Sequence, residues 1–418
     1  MSNRALPIAV VLMLTFVWGC KQAQTAPPNP APAPVTQAQP AAEETGAMSD
    51  RNLKFAFDLF GKLQAEKPGE NLFVSPISVS MALGMTANGA AGSTRDAMFE
   101  ALHWQGLTIA DVDKGLQALK VDLQSADPAL KLTIADSLWS DDEVEFKPGF
   151  LEANRTFFDA EVASLDFADP ASAKRINDWV NDKTNGLIPE ITTPQDLAGL
   201  WMMLLDAVYF KGKWTDPFEK DKTEDATFTL LEGEKTVPMM AQVGEYRYLE
   251  DHKLQAIALP YGNQRVEMIV VLPAPDNNLA DFCQGLNADD FNDLLRNMAK
   301  REGTIKLPRF TAKMDRKLND VLGALGMAEA FDKDKADFSD MSESKVWIDI
   351  VRQKSFVKVD EEGTEAAAVT QVGMVGAAAP APGEPFEMIV NRPFFLAIRD
   401  AGTETLLFMG AIVEPEEE

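Results

Sequence analysis

Residues 359–386 read VDEEGTEAAAVTQVGMVGAAAPAPGEPF. A charged turn gives way to a run of small residues and then to a Gly/Pro-rich stretch, shortly before the apolar block FFLAI at 394–398. The pattern is that of an exposed segment able to become a strand. Extended backbone sends alternate side chains to opposite faces. With Thr364 placed inward, Ala366, Ala368, Thr370, Val372 and Met374 share its face, and none is charged. Glu365, Ala367, Val369, Gln371 and Gly373 fall on the other face, where water can solvate the glutamate and the glutamine. Just upstream, a strand is expected to end at Val359 and Asp360. Glu361 and Glu362 then form a solvent-facing turn, and Gly363 supplies a backbone hinge.

On both sides of this segment the sequence is that of a folded protein. LKLTIADSLWS (130–140), LLDAVYFKGKW (204–214), QAIALPYG (255–262), VEMIVVLP (266–273), GTIKLPRF (303–310) and SFVKVDEE (355–362) are rich in β-branched or aromatic residues and are bounded by turn formers, which predicts strands. Leu53, Phe57, Leu59, Phe60 and Leu63 recur at helical spacing across 50–64, and Ser75-Pro76 opens a second, strongly apolar helix. SAKRINDWVNDKTNG (172–186) and KLNDVLGALGM (317–327) read as helices with Gly186 and Gly326 near their ends. Runs of helices before runs of strands indicate an α+β fold. No internal repeat is present, and no second linker follows residue 46, so one large domain is expected.

The chain has 418 residues, 46% hydrophobic and 25% charged, with a formal net charge of −26. Such a field repels nucleic acid and anionic lipid headgroups and attracts basic proteins, so no nucleic-acid partner is expected. Cys20 and Cys283 are the two cysteines. If Cys20 belongs to a processed leader, the fold must stand without a disulfide. Arg4, the apolar run 5–18, Gly19 and Cys20 have the charged, apolar and small-residue zones of an export signal, too short to span a bilayer comfortably. VWGC resembles the lipobox of bacterial lipoproteins, which implies lipid attachment at Cys20; secretion after cleavage elsewhere is the other reading. The expected organisation is a signal peptide at 1–19, a Pro/Ala-rich disordered tether at 20–46 and one folded domain at 47–418. The protein is thus expected outside the cytoplasm, as an envelope lipoprotein of the outer membrane or cell surface or in secreted form. Membrane contact is expected through the lipid alone.

Enzymatic motifs are sparse. His103 and His252 are the only histidines, and neither lies beside a recognisable nucleophile motif, so both read as surface or packing residues. GAAGSTRD, from Gly89, has glycines but lacks the lysine of a phosphate cradle, and reads as a helix-ending turn. In DKDKADFSDMSES, Asp332 and Asp334 could begin a calcium loop, but Ala336 takes the next ligand position and no glycine follows. Cys283 reads as a small buried hydrophobe. No catalytic residue, metal site or cofactor is expected.

Five blocks together resemble the serpins, the serine-protease-inhibitor family: NLFVSPISVSMALGMTANGAAGSTRDAM, INDWVNDKTNGLIPEI, LLDAVYFKGKW, DEEGTEAAAVT and NRPFFLAIRDAGTETLLFMGAIVEP. They occur in the family's order from residue 71 to 415. The resemblance implies three β-sheets, about nine helices and an exposed reactive loop, here at about 361–385. It also implies a trap, in which a protease cleaves the loop, remains joined as an acyl-enzyme and is displaced as the loop inserts into the main sheet. The covalent partner is a target serine protease, and the inhibitor is expected to be a monomer. The hinge residues Glu361, Glu362, Gly363, Thr364, Glu365, Ala366, Ala367 and Ala368 match the inhibitory pattern.

Counting from Gly363 at the family's spacing places the scissile bond between Ala377 and Ala378. Counting back from NRPF reaches Pro382, and the extra residues are assigned to the Pro/Gly-rich stretch 380–384. Small apolar residues at the bond imply elastase-like or subtilisin-like targets rather than trypsin-like ones, with Met374 a lesser site for chymotrypsin-like enzymes. In the family's cluster beneath the opening sheet, Ser75 and Ser78 match, whereas Asp206 and Gln353 replace an asparagine and a histidine. A carboxylate acceptor and an amide donor can pair in their place; otherwise one of the two faces solvent. A non-inhibitory carrier on the same scaffold is the second reading, and an exported hydrolase a third.

Overall fold

The computed structural model describes residues 42–364 and 384–417. The first helix runs Ala42–Glu66 and therefore takes in residues 42–46, which composition assigns to the tether. Its opening AEE favours helix by propensity. The next helix, Pro76–Ala87, has proline in its first turn and every residue buried, its strongly apolar run carrying Ser78, Ser80 and Thr86, whose hydroxyls are each hydrogen-bonded. GAAGSTRD closes that helix as expected, the Gly89 and Ala90 N–H groups bonding back to the Thr86 and Ala87 carbonyls, and then leads into the helix Gly92–Ala101. There are ten α-helices among the described residues.

The strands are β1 (Leu72–Val74), β2 (Lys131–Asp141), β3 (Glu161–Leu165), β4 (Met202–Lys213) and β5 (Glu224–Thr229). They continue with β6 (Glu234–Glu250), β7 (Leu254–Tyr261), β8 (Val266–Pro273), β9 (Ala299–Pro308) and β10 (Phe310–Lys317). The last are β11 (Ile350–Asp360), β12 (Gly363–Thr364), β13 (Phe386–Ile389), β14 (Phe394–Asp400) and β15 (Thr405–Ile412).

Nine of these form a sheet in the order β1-β15-β14-β8-β7-β6-β9-β13, with β5 paired to β6. β6 is 17 residues long, pairing with β9 from Met239 to Tyr248 and with β7 from Arg247 to Glu250, so it draws two of the expected sheets into one ladder. The other sheet has the order β10-β11-β12-β4-β2-β3. Helix Pro76–Ala87 and the main core cover one face of this second sheet, with Ile134, Leu138, Leu204 and Val208 pointing toward them. Alternation sends Ala135, Trp139, Leu205 and Ala207 to the opposite face, where they bury Ile176 and Val180 of the helix Pro170–Lys183.

Candidate functional site

The second sheet contains a seam. β4 and β11 run parallel and pair from Met203 with Ile350 up to Tyr209 with Phe356. Beyond that point they separate, and β12 lies between them. Thr364 and Gly363 oppose Val359 and Asp360 of β11 on one side and Gly212 and Lys213 of β4 on the other, antiparallel to both. The first residues after the charged turn thus already act as a short strand in the parted end of the sheet.

Local chemistry holds that end in place. Asp360 Oδ1 accepts the backbone N–H groups of Glu362 and Gly363, at 2.9 and 3.3 Å, and closes the turn. Gly363 has φ of +147°, and a Cβ there would sit 2.1 Å from the Gly212 carbonyl oxygen, so glycine is required for two independent reasons. Thr364 is fully buried, with its hydroxyl 2.7 Å from the Tyr261 hydroxyl. Tyr261 in turn stacks on Trp214 at 4.3 Å, and Trp214 donates through Nε1 to the Asp360 carbonyl at 2.9 Å.

The turn is not solvent-facing as expected. Glu361 is 2% exposed and accepts from Arg309 Nε at 2.8 and 2.9 Å, and from the Thr223 hydroxyl at 2.5 Å. Burial pushes its carboxyl up, but the hydrogen bonds from Arg309 and Thr223 prevail and hold it below the usual glutamate range. Its carbonyl also accepts the Phe218 N–H at 2.8 Å. Glu362 is half-buried and meets the exposed Lys220 at 2.6 Å. The segment is a clamp on the sheet because Glu361 has an arginine within reach, which the sequence order does not reveal.

Lower on the seam, Gln353 and Asp206 lie opposite each other in the β4–β11 register. Gln353 Nε2 donates to Asp206 Oδ2 at 2.6 Å and to the Ser75 carbonyl at 2.9 Å, while Gln353 Oε1 accepts the Ser75 N–H at 3.0 Å. The Ser78 hydroxyl donates to Asp206 Oδ1. All four residues are buried, so neither Asp206 nor Gln353 faces solvent. Ser75 enters through its backbone, and its hydroxyl has no hydrogen-bond partner. Glu365, Ala366, Ala367, Ala368, Ala377, Ala378 and Cys20 lie outside the described residues.

Four residues that build this site are absent from the expectation: Arg309, Tyr261, Trp214 and Asp136. The last stands opposite Asp206 on β2. Its signal was present, since an aspartate between Ile134 and Leu138 on the apolar face of a predicted strand breaks the period-2 pattern. His103 pairs with Asp58 at 2.7 Å on the surface, and Cys283 is buried with its thiol pushed up to about 12 by burial. Among the described residues no group of three or more His, Cys, Asp or Glu side chains is placed to hold a metal ion, and no helix is long and apolar enough to cross a membrane.

Comparison with known proteins gives the family. The model for "Serpin (serine protease inhibitor)" matches residues 50–415. The chain belongs to the serpin family. This serpin is 35% identical over 384 residues to the leukocyte elastase inhibitor of Bos taurus, covering 88% of this chain and 99% of that protein. The native structure of the thermophilic serpin tengpin superposes with a TM-score of 0.80 at 31% identity, over 88% of this chain and 94% of that one. Human thyroxine-binding globulin in complex with thyroxine also superposes with a TM-score of 0.80, at 28% identity over 90% and 100% of the two chains. The relatives of this chain therefore include both an elastase inhibitor and a thyroxine-binding globulin.

Proposed function

We propose that this serpin inhibits serine proteases of elastase-like or subtilisin-like preference by suicide cleavage between Ala377 and Ala378 and insertion of the severed loop into the second sheet. One observation carries the reading: β12 already stands between two parallel strands at the point where an inserted strand would begin. Extending β12 through Met374 exchanges one parallel ladder for two antiparallel ones, which are slightly more stable per residue. At about 1 kcal/mol net per added hydrogen bond, a full strand gains an amount comparable to the stability of an ordinary domain. The alternation Thr364, Ala366, Ala368, Thr370, Val372, Met374 lets the inward face enter without burying a charge. The small apolar residues at 375–378 suit shallow specificity pockets, and the likeness to a leukocyte elastase inhibitor supports the same target class.

The protease supplies the catalytic chemistry. The net charge of −26 favours encounter with a basic target. The leader at 1–19 supports export, with Cys20 as lipid anchor and residues after it as spacer, so the site of action is the cell envelope or its surroundings. Incubation with pancreatic elastase followed by a denaturing gel tests the reading. A stable high-mass adduct is the expected result, with mass spectrometry of the bands locating the cleaved bond. Clean cleavage without an adduct favours the carrier reading that thyroxine-binding globulin illustrates.

A further inference from the structure

Beneath the seam lies a buried acid that the trap does not use. Asp136 of β2 is directly opposite Asp206 of β4 in an antiparallel ladder, so both side chains leave the sheet on the same face, with Cβ atoms about 5 Å apart. Asp136 is 3% exposed, and neither of its carboxyl oxygens has a hydrogen-bond partner. Asp206 accepts from Ser78 and Gln353. Two ionised carboxylates this close in an apolar core would repel each other, and one of them would also lack any donor.

No neighbouring cation forms an ion pair with Asp136. Helix Pro76–Ala87, which packs below, carries no ionisable side chain. β11 presents the neutral Gln353; its neighbours Arg352 and Lys354 lie on the other face, against Asp315, Asp196 and the Glu190 carbonyl. From helix Ile109–Gln124, Lys120 attracts Asp136 through space, but its Nζ donates to the Phe158 carbonyl at 2.5 Å. The buried Asp113 of the same helix is held by Asn88 at 2.7 Å. Glu161 of β3 lies beside Ser137 and meets Arg175.

We propose that the Asp136 and Asp206 pair retains a proton while the seam is closed, one carboxyl staying neutral beside the other, and that the proton passes to solvent when β4 parts from β11. Parting replaces the Gln353 amide by water at Asp206, and solvation stabilises the ionised form. Burial brings Asp206 up to about 7 against the hydrogen bonds from Ser78 and Gln353, and burial together with the Asp206 charge holds Asp136 well above the usual aspartate range. A carboxyl that is raised in the closed state binds a proton that the open state has released. Closed-state stability is therefore greatest below the ordinary aspartate range and falls as pH rises from there through about 7. The seam becomes easier to open toward neutral pH, which regulates the trap proposed above and rests on it only where insertion is concerned.

The test uses intact, full-length protein and needs no protease. Difference infrared spectra near pH 6, taken in an Asp113→Asn background because burial raises that carboxyl and, like it, Asp360, should contain the C=O stretch of a protonated acid that is present before and lost after adding Asp136→Asn. The thermal midpoint of the parent should fall between about pH 5 and about pH 8, with the opening equilibrium rising up to tenfold per pH unit, and Asp136→Asn should flatten the slope. Absence of the band, or equal slopes, overturns the retained proton. If Asp136→Asn does not fold, Asp206→Asn replaces it in both measurements. A synthetic peptide covering 364–374 separates this inference from the trap itself. Failure to anneal at any pH counts against insertion while the infrared band still decides the proton; annealing at a pH-independent rate overturns the proton's control of the seam.

Discussion

Strand β4 has two neighbours of opposite character. Toward β2 it is antiparallel and paired along nearly its whole length, from Lys211 with Lys131 to Met202 with Ser140. Toward β11 it is parallel, and the ladder stops at Tyr209 with Phe356 because β12 occupies the space beyond. A continuous antiparallel ladder has no vacancy to fill and nothing to gain from parting. A parallel pair whose end is already divided can accept a strand antiparallel to both sides. The sheet is thus built to open on the β11 side alone, and the polar side chains linking Asp206, Gln353 and Ser75 lie on that side.

The comparison breaks most completely at Gly363. Gly363→Val would force a Cβ into the Gly212 carbonyl at a φ that valine avoids, so β12 should be expelled. No stable adduct with elastase should then appear on a denaturing gel; an undiminished adduct would show that the parted end is dispensable. Next in size is Arg309→Met, which leaves the buried Glu361 without its cation and should cost about 3 kcal/mol in denaturant unfolding. The same pair fixes a pH signature. Glu361 is held below its ordinary value of 4.5, so its contribution is complete above that value and is lost as pH falls through the lowered one. Arg309→Met should abolish that loss on the acid side, as read from thermal midpoints.

The pairing across the seam is sharpened by a double-mutant cycle. Asp206→Asn and Gln353→His should each destabilise by about 2 kcal/mol, and the double variant, which restores the family's usual pair, should recover about 1 kcal/mol or more of their sum. Single variants as stable as the double would mean that the two side chains act independently. The smallest effect belongs to Lys220→Ala. The exposed ammonium that Lys220 contributes to the half-buried Glu362 is screened by solvent and salt, so the thermal midpoint should be indistinguishable from the parent.

Much of this fold was legible because its strands and buried helices carry strong periodic patterns. Helix Pro76–Ala87 announced itself through Ser75-Pro76 and a strongly apolar run, and β8 through VEMIVVLP. β6 was not legible: EKTVPMMAQVGEYRYLE mixes Pro238, Gly244 and charged residues, and its length comes from neighbours on both sides rather than from its own pattern. The site divides in the same way. The glycine at 363 and the strand beginning at Thr364 could be read from order alone, since strand geometry is local. Burial of Glu361 could not, because it depends on Arg309, distant in sequence and brought close by β10 and β11 pairing. The Asp206 and Gln353 substitutions could be noticed singly, but the acid facing them from β2 required the register.

The trap works only if the seam gains free energy by admitting the chain's own loop. Thermal unfolding of the protein before and after a single proteolytic cut within 375–382 measures this directly. Insertion predicts a large upward shift of the midpoint and protection of the β4 and β11 amides along their full length. A cut chain that melts where the intact chain does, with those amides unchanged, contradicts it.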